Sequence, residues 1–184
     1  MPQDNTVTPA RVWYHSAHAS LCVLGSYLRR IGFFTPLEEQ VQIQQKTLKY
    51  TPVQKLEMFL VALLAGAKAV SHTDTTVGVD PALCTAFGLP GCADQSVIAA
   101  TLNAATPTDV AALQAALAET FRRFSRARRH EVTQELLVLD VDLSPLPASR
   151  HAEGSERCYM GRCRSKTGRK LVRVRAAQYQ ETVS

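Results

Sequence analysis

Apolar residues recur at helical spacing in two stretches. Val53, Leu56, Leu60, Leu63, Leu64 and Ala67 line one face of a helix predicted over 52–68. Val110, Leu113, Leu117, Phe121 and Phe124 do the same over 107–127. Both stripes read as core faces, with no cofactor box implied. Further helices are predicted at 18–31, 36–47, 81–87 and 95–104. The pattern then changes. Glu135-Leu136-Leu137-Val138-Leu139-Asp140-Val141-Asp142 is a short apolar run closed by acids, which predicts a buried central strand ended by Pro145 and Pro147. Two alternating segments follow, 157–164 and 169–176. Ser165-Lys166-Thr167-Gly168 joins them, so a hairpin is expected with Gly168 supplying the positive φ of its loop.

Helix starts carry their own punctuation. Thr35-Pro36-Leu37-Glu38, Thr51-Pro52-Val53-Gln54 and Thr106-Pro107-Thr108-Asp109 share one form. The Thr hydroxyl can accept from a first-turn amide, and Pro gives up a donor that had no partner. The fourth residue can reach back to the cap, the shorter Asp less well. Asp80-Pro81 is a fourth predicted start.

The sequence therefore predicts an α+β protein. Residues 1–130 form a helical region and 131–184 the first strands of a sheet. A sheet needs a second layer. The earlier helices could supply it, but the simpler expectation is an unfinished, truncated fold.

Charge sharpens the division. Of 184 residues, 46% are hydrophobic, which excludes a disordered tail. The formal charge is +5, and residues 122–184 hold 14 Lys/Arg against 7 Asp/Glu. A polyanionic partner is the natural reading of that stretch. The longest apolar run, Met58–Ala67, is too short to span a membrane, and no signal peptide is visible at the start. The five cysteines are odd in number and contain no CxxC, so free thiols and a cytoplasmic location are expected. His15, His18 and Cys22 have helical spacing but lack the fourth ligand of a structural zinc.

The segment Leu139-Asp140-Val141-Asp142-Leu143-Ser144 leads into Ala152-Glu153-Gly154-Ser155-Glu156-Arg157-Cys158-Tyr159-Met160, and then Lys166-Thr167-Gly168-Arg169-Lys170. This ordered set resembles the start of the catalytic domain in insertion-sequence DDE transposases. There a hydrophobic strand ends in Asp-x-Thr/Ser, followed by a Glu-Gly-Ser/Ala loop, an aromatic-containing strand and a Gly turn. Leu89-Pro90, followed by Gln95-Ser96-Val97-Ile98, resembles an upstream element of the same family. The resemblance covers roughly residues 50–180.

It implies an RNase H-like mixed sheet after a helical DNA-handling region. The implied activity is cleavage and strand transfer of DNA at transposon ends, with Mg²⁺ or Mn²⁺ held by two Asp and one Glu. In-line attack on a phosphodiester uses metal both to make the nucleophile and to neutralise the leaving oxygen. By position the first carboxylate, and metal ligand, is Asp142. Asp140 has the same strand parity and is the second candidate or an electrostatic neighbour. The family's second Asp and its Glu should lie further along, so this chain alone is expected to be inactive.

Arg122, Arg123, Arg126, Arg128 and Arg129, with Arg162, Arg164, Lys166, Arg169 and Lys170, are candidates to follow a duplex backbone; a solvated charged face is the plain alternative. The helices at 81–87 and 95–104 could form a helix-turn-helix offering Gln95, Ser96, Thr101 and Asn103 to a groove, or simply pack. The expected partner is double-stranded DNA at transposon ends, with a homodimer as a further expectation. A non-catalytic DNA-binding regulator or transposition inhibitor is the competing reading.

Overall fold

The computed structural model of the chain describes residues 15–46, 49–157 and 166–183. The protein is α+β and divides into two compact units, Met1–Thr120 and Phe121–Ser184.

The first unit holds α1 (Ala19–Arg30), α2 (Thr35–Gln40), α3 (Pro52–Leu64), α4 (Thr73–Thr76), α5 (Pro81–Ala86), α6 (Gln95–Ala104) and most of α7 (Pro107–Phe124). Two of the predicted Thr caps form. Thr51 and Gln54 make a reciprocal capping box. At α7 the Thr106 hydroxyl accepts from the Asp109 amide, and Asp109 accepts from the Thr106 amide at 2.8 Å, so the short acid does reach back. Asp80 caps α5 by accepting from the Leu83 amide at 2.9 Å. Thr35 does not cap. It lies inside α2, whose N-cap is Phe34, because a turn at Gly32 (φ +71°) brings the chain in helically.

The helix predicted to 47 stops at Gln40. Residues 41–46 run without helix, and Val41 and Ile43 are both buried. Alternate burial is the strand periodicity, and it overrides helix propensity here. These two side chains pack with Ala116 of α7 and with Leu37, Val53 and Leu56. The larger core gathers Met58, Val61, Leu83, Phe87 and Ile98, with α1 packed on α5 and α3 on α6. Gly25 of α1 is required there: a Cβ would lie 2.5 Å from the Phe87 ring.

One polar knot ties this core. The Arg29 guanidinium reaches Glu38 of α2 at 2.5 Å, the buried Glu57 of α3, and the carbonyl of Phe87 that follows α5. Burial pushes the Glu57 carboxyl up to about 7, against the pull of Arg29 beside it.

The second unit contains the end of α7, a 3₁₀ turn at Ala127–Arg129, and strands β1 (Leu139–Pro147), β2 (Glu156–Arg157), β3 (Thr167–Ala176) and β4 (Glu181–Val183). All pairings are antiparallel: β3 is flanked by β1 on one side, while β2 and β4 also pair with β3. The strand expected to be buried and central is neither. Among the described residues β1 pairs only with β3, and most of it is exposed.

β1 does not stop short of the prolines but runs through Pro145 to Pro147, and the ladder explains why. Ala177 N donates to Val138 O, and Ala148 N donates to Thr167 O. Even-numbered β1 residues therefore make the ladder bonds, and the odd-numbered prolines turn their nitrogens to the open edge, where no N–H is needed. Gly168 is not a turn residue either. It sits within β3 opposite both Pro147 and Glu156. The turn glycine is Gly154 (φ +65°), in the Glu153-Gly154-Ser155 loop before β2. The expected strand at 157–164 lies outside the described residues beyond Arg157.

Candidate functional site

Cross-strand partners project to the same face of a sheet. Asp140 lies opposite Arg175, Asp142 opposite Arg173, and Ser144 opposite Leu171. One face of β1–β3 therefore presents two carboxylates and three guanidinium groups, the third being Arg169 opposite Leu146. The other presents Leu139, Val141 and Leu143 against Ala176, Val174 and Val172. Two residues of rise separate Asp140 from Asp142 by about 7 Å along the strand.

Asp142 stands in the middle of β1 and not at its end, as the resemblance implied, because the ladder runs on to Pro147. The Ser144 hydroxyl donates to Asp142 at 3.3 Å, and Arg173 donates to the Ser144 oxygen at 3.5 Å. Both Asp140 and Asp142 are exposed. Arg173 and Arg175 were not singled out from the sequence as partners of these acids. The signal was the matching alternation of 140/142 with 173/175, but only the register joins them.

The donor set does not fit a two-metal centre. Such a centre needs several carboxylates converging on ions about 4 Å apart. Here two carboxylates share their face with three arginines. No group of three His, Cys, Asp or Glu able to hold an ion forms among the described residues. His18 does not gather a metal either: its Nδ1 lies 3.4 Å from Asp80, beside the Ser16 hydroxyl that donates to the same carboxylate at 2.5 Å.

The basic candidates divide by position. Arg122 and Arg123 end α7, while Arg126, Arg128 and Arg129 form the 3₁₀ turn and its approach. All five are exposed, as are Lys166, Arg169 and Lys170 at the start of β3. Arg162 and Arg164 lie outside the described residues, as do Cys158, Tyr159 and Cys163.

The arginine turn is anchored from β4. The Glu181 carboxylate accepts from the Ser125 hydroxyl, from Arg126 N at 2.8 Å and from Ala127 N at 3.2 Å. Burial works against the charge, but these hydrogen bonds hold the carboxyl below its usual range. Arg126 also lies over the Tyr179 ring, 5.6 Å from its centre. Tyr179 in turn hydrogen-bonds His130 at 2.8 Å. Sequence reading missed Glu181, because a contact across 55 residues leaves no local pattern.

In the first unit, α6 is present at the expected bounds, and α5 ends one residue before the expected 87. Gln95, Ser96 and Asn103 are exposed. Thr101 is fully buried and donates to Gln45 at 2.7 Å, so it is not available to a groove. No helix among the described residues is long and apolar enough to cross a membrane. Comparison with protein-family models finds no match, and comparisons with curated proteins and with solved structures find none either.

Proposed function

We propose that this chain is a DNA-binding module of DDE-transposase descent whose second unit grips the phosphate backbone. The observation that carries this reading is how that unit arranges its charges. Two of its acids are engaged internally: Glu181 is bound by a hydroxyl and two amides, and Asp142 is bound by Ser144. Its bases point outward. Arg128, Arg129, Arg169 and Lys170 are exposed and form no ion pair among the described residues. Phosphate contacts of this kind give affinity without sequence selection.

The ordered motif set at 139–170, including the Gly154 loop, favours the transposase lineage. In that lineage the β sheet is the opening of an RNase H-like domain, and Asp142 is the first carboxylate of its metal centre, with Asp140 beside it. The donors present do not complete such a centre, which favours the non-catalytic reading: a protein that occupies transposon ends without cutting them.

Fluorescence anisotropy with labelled duplex DNA tests the proposal. Binding should weaken linearly in log–log form with salt, by a slope of about −0.9 for each phosphate neutralised. Arg128→Glu with Arg129→Glu should weaken binding at every sequence and flatten that slope. Absence of binding at about 50 mM salt, or a slope near zero, would sink it. Incubation with Mg²⁺ or Mn²⁺ should leave the DNA uncut; cleavage abolished by Asp142→Ala would restore the catalytic reading.

A further inference from the structure

The first unit contains a basic cleft that the reading above does not use. It has a volume of ≈ 410 Å³, and its lining includes Gln45, Lys46, Lys49, Tyr50, Lys55 and Asp94. The size lies in the range of sites for small ligands. Lys46 and Lys49 are exposed, and the Lys49 ammonium sits 5.0 Å from the centre of the Tyr50 ring.

Lys55 is the unusual member. It is only 4% exposed, and its ammonium donates to the Gln45 carbonyl oxygen at 3.0 Å. That oxygen is neutral and is shared with the Thr101 hydroxyl. Among the described residues no carboxylate pairs with Lys55. A buried ammonium left without a counter-charge is costly. An ammonium has three protons, and Gln45 takes one of them. The carboxylate that lines the cleft, Asp94, is committed to the Ser96 amide and hydroxyl. The start of α6 is committed too: its first amides go to Asp74 and Asp94. Among the described residues that line the cleft, three lysines therefore stand with one carboxylate, which is already engaged.

We propose that this cleft binds a phosphate group, with Lys55 as the buried anchor and Lys46 and Lys49 closing over the outer oxygens. A phosphate group, anionic and with more than one free acceptor oxygen, suits a cleft lined by three lysines. The group can be part of a nucleic-acid backbone or of a free phosphate compound. The site lies wholly in the first unit, so it stands or falls separately from DNA binding by the second.

The test uses the full chain, labelled with ¹⁵N and titrated with inorganic phosphate and, separately, with a short duplex. Saturable shifts of the Tyr50, Ala93 and Val97 amides are expected with phosphate. The double variant Lys46→Gln, Lys49→Gln changes only exposed side chains and should raise the phosphate Kd by about tenfold or more, as loss of charge-assisted hydrogen bonds implies. Lys55→Met should abolish the shifts while keeping the spectrum folded. If the duplex moves the same amides and phosphate competes, the source is a backbone; if only phosphate moves them, it is a free phosphate compound. Silence of these amides to both ligands, or unchanged affinity in the double variant, would overturn the proposal.

Discussion

The two units treat apolar side chains in opposite ways. In the helical unit Met58, Val61, Val77, Phe87 and Ile98 have no exposed surface. In the sheet unit Leu139, Val141, Leu143 and Val172 are all at least half exposed, and of the apolar face only Ala176 is buried. The first unit rests on side-chain burial, which stabilises in proportion to the area removed from water. The second rests on its backbone ladder and on polar clamps. Besides Glu181, Gln178 accepts from Val138 N at 3.1 Å and donates to Leu136 O at 2.5 Å, pinning the approach to β1.

The sharpest way to break this contrast is in the helical core. Phe87→Ala should cost about 3–5 kcal/mol, the usual loss for a buried aromatic ring. Urea unfolding followed by helical circular dichroism measures it. Gly25→Ala attacks the same contact from α1, since its new methyl would overlap the Phe87 ring. It should cost about 1–3 kcal/mol by overpacking.

Next in size is the Arg29 knot. Burial raises the Glu57 carboxyl to about 7 from an ordinary 4.5. Between those values the folded state binds more protons than the unfolded state, so stability falls as pH rises. The contribution is fully present below about 4.5 and is lost through about 7, amounting to roughly 3 kcal/mol at most. Glu57→Gln should remove that slope from unfolding curves taken across the window. A slope that persists would place the titration elsewhere.

Glu181 behaves with the opposite sign. Its folded-state carboxyl lies below the usual range, so its stabilisation is present above the unfolded value and is lost as pH falls. Glu181→Ala frees two amides and a hydroxyl and should cost about 1–2 kcal/mol, as loss of a helix cap does. Hydrogen exchange at Arg126 and Ala127 should quicken in the variant. Unchanged exchange there would show that the clamp does not hold the arginine turn.

Helices were legible because their signals are local. Thr51-Pro52 and Thr106-Pro107 fix starts through groups three residues apart, and Asp80 and Asp94 cap α5 and α6 similarly. Bounds failed where distant packing intervened: Val41 and Ile43 leave the helix to reach α7. The sheet was less legible. An apolar run closed by acids looks the same whether it is central or an edge, and the prolines tell the two apart only once the hydrogen-bonding parity is known. The candidate acids were visible, but their arginine neighbours depended on register, and Glu181 on a contact with no sequence spacing at all.

The smallest expected effect tests the sheet face directly. Leu143 is 58% exposed and stands opposite Val172 in a pair that makes no ladder bonds. Thr supplies the β-branched shape that strands favour and removes apolar surface that is already in water. Leu143→Thr should therefore change stability by no more than about 0.5 kcal/mol, measured by exchange of the β3 amides in urea. A loss comparable to that of Phe87→Ala would mean that this face is covered in solution. Dependence of that loss on protein concentration would then identify a second copy of the chain as the cover, because only association makes stability depend on concentration.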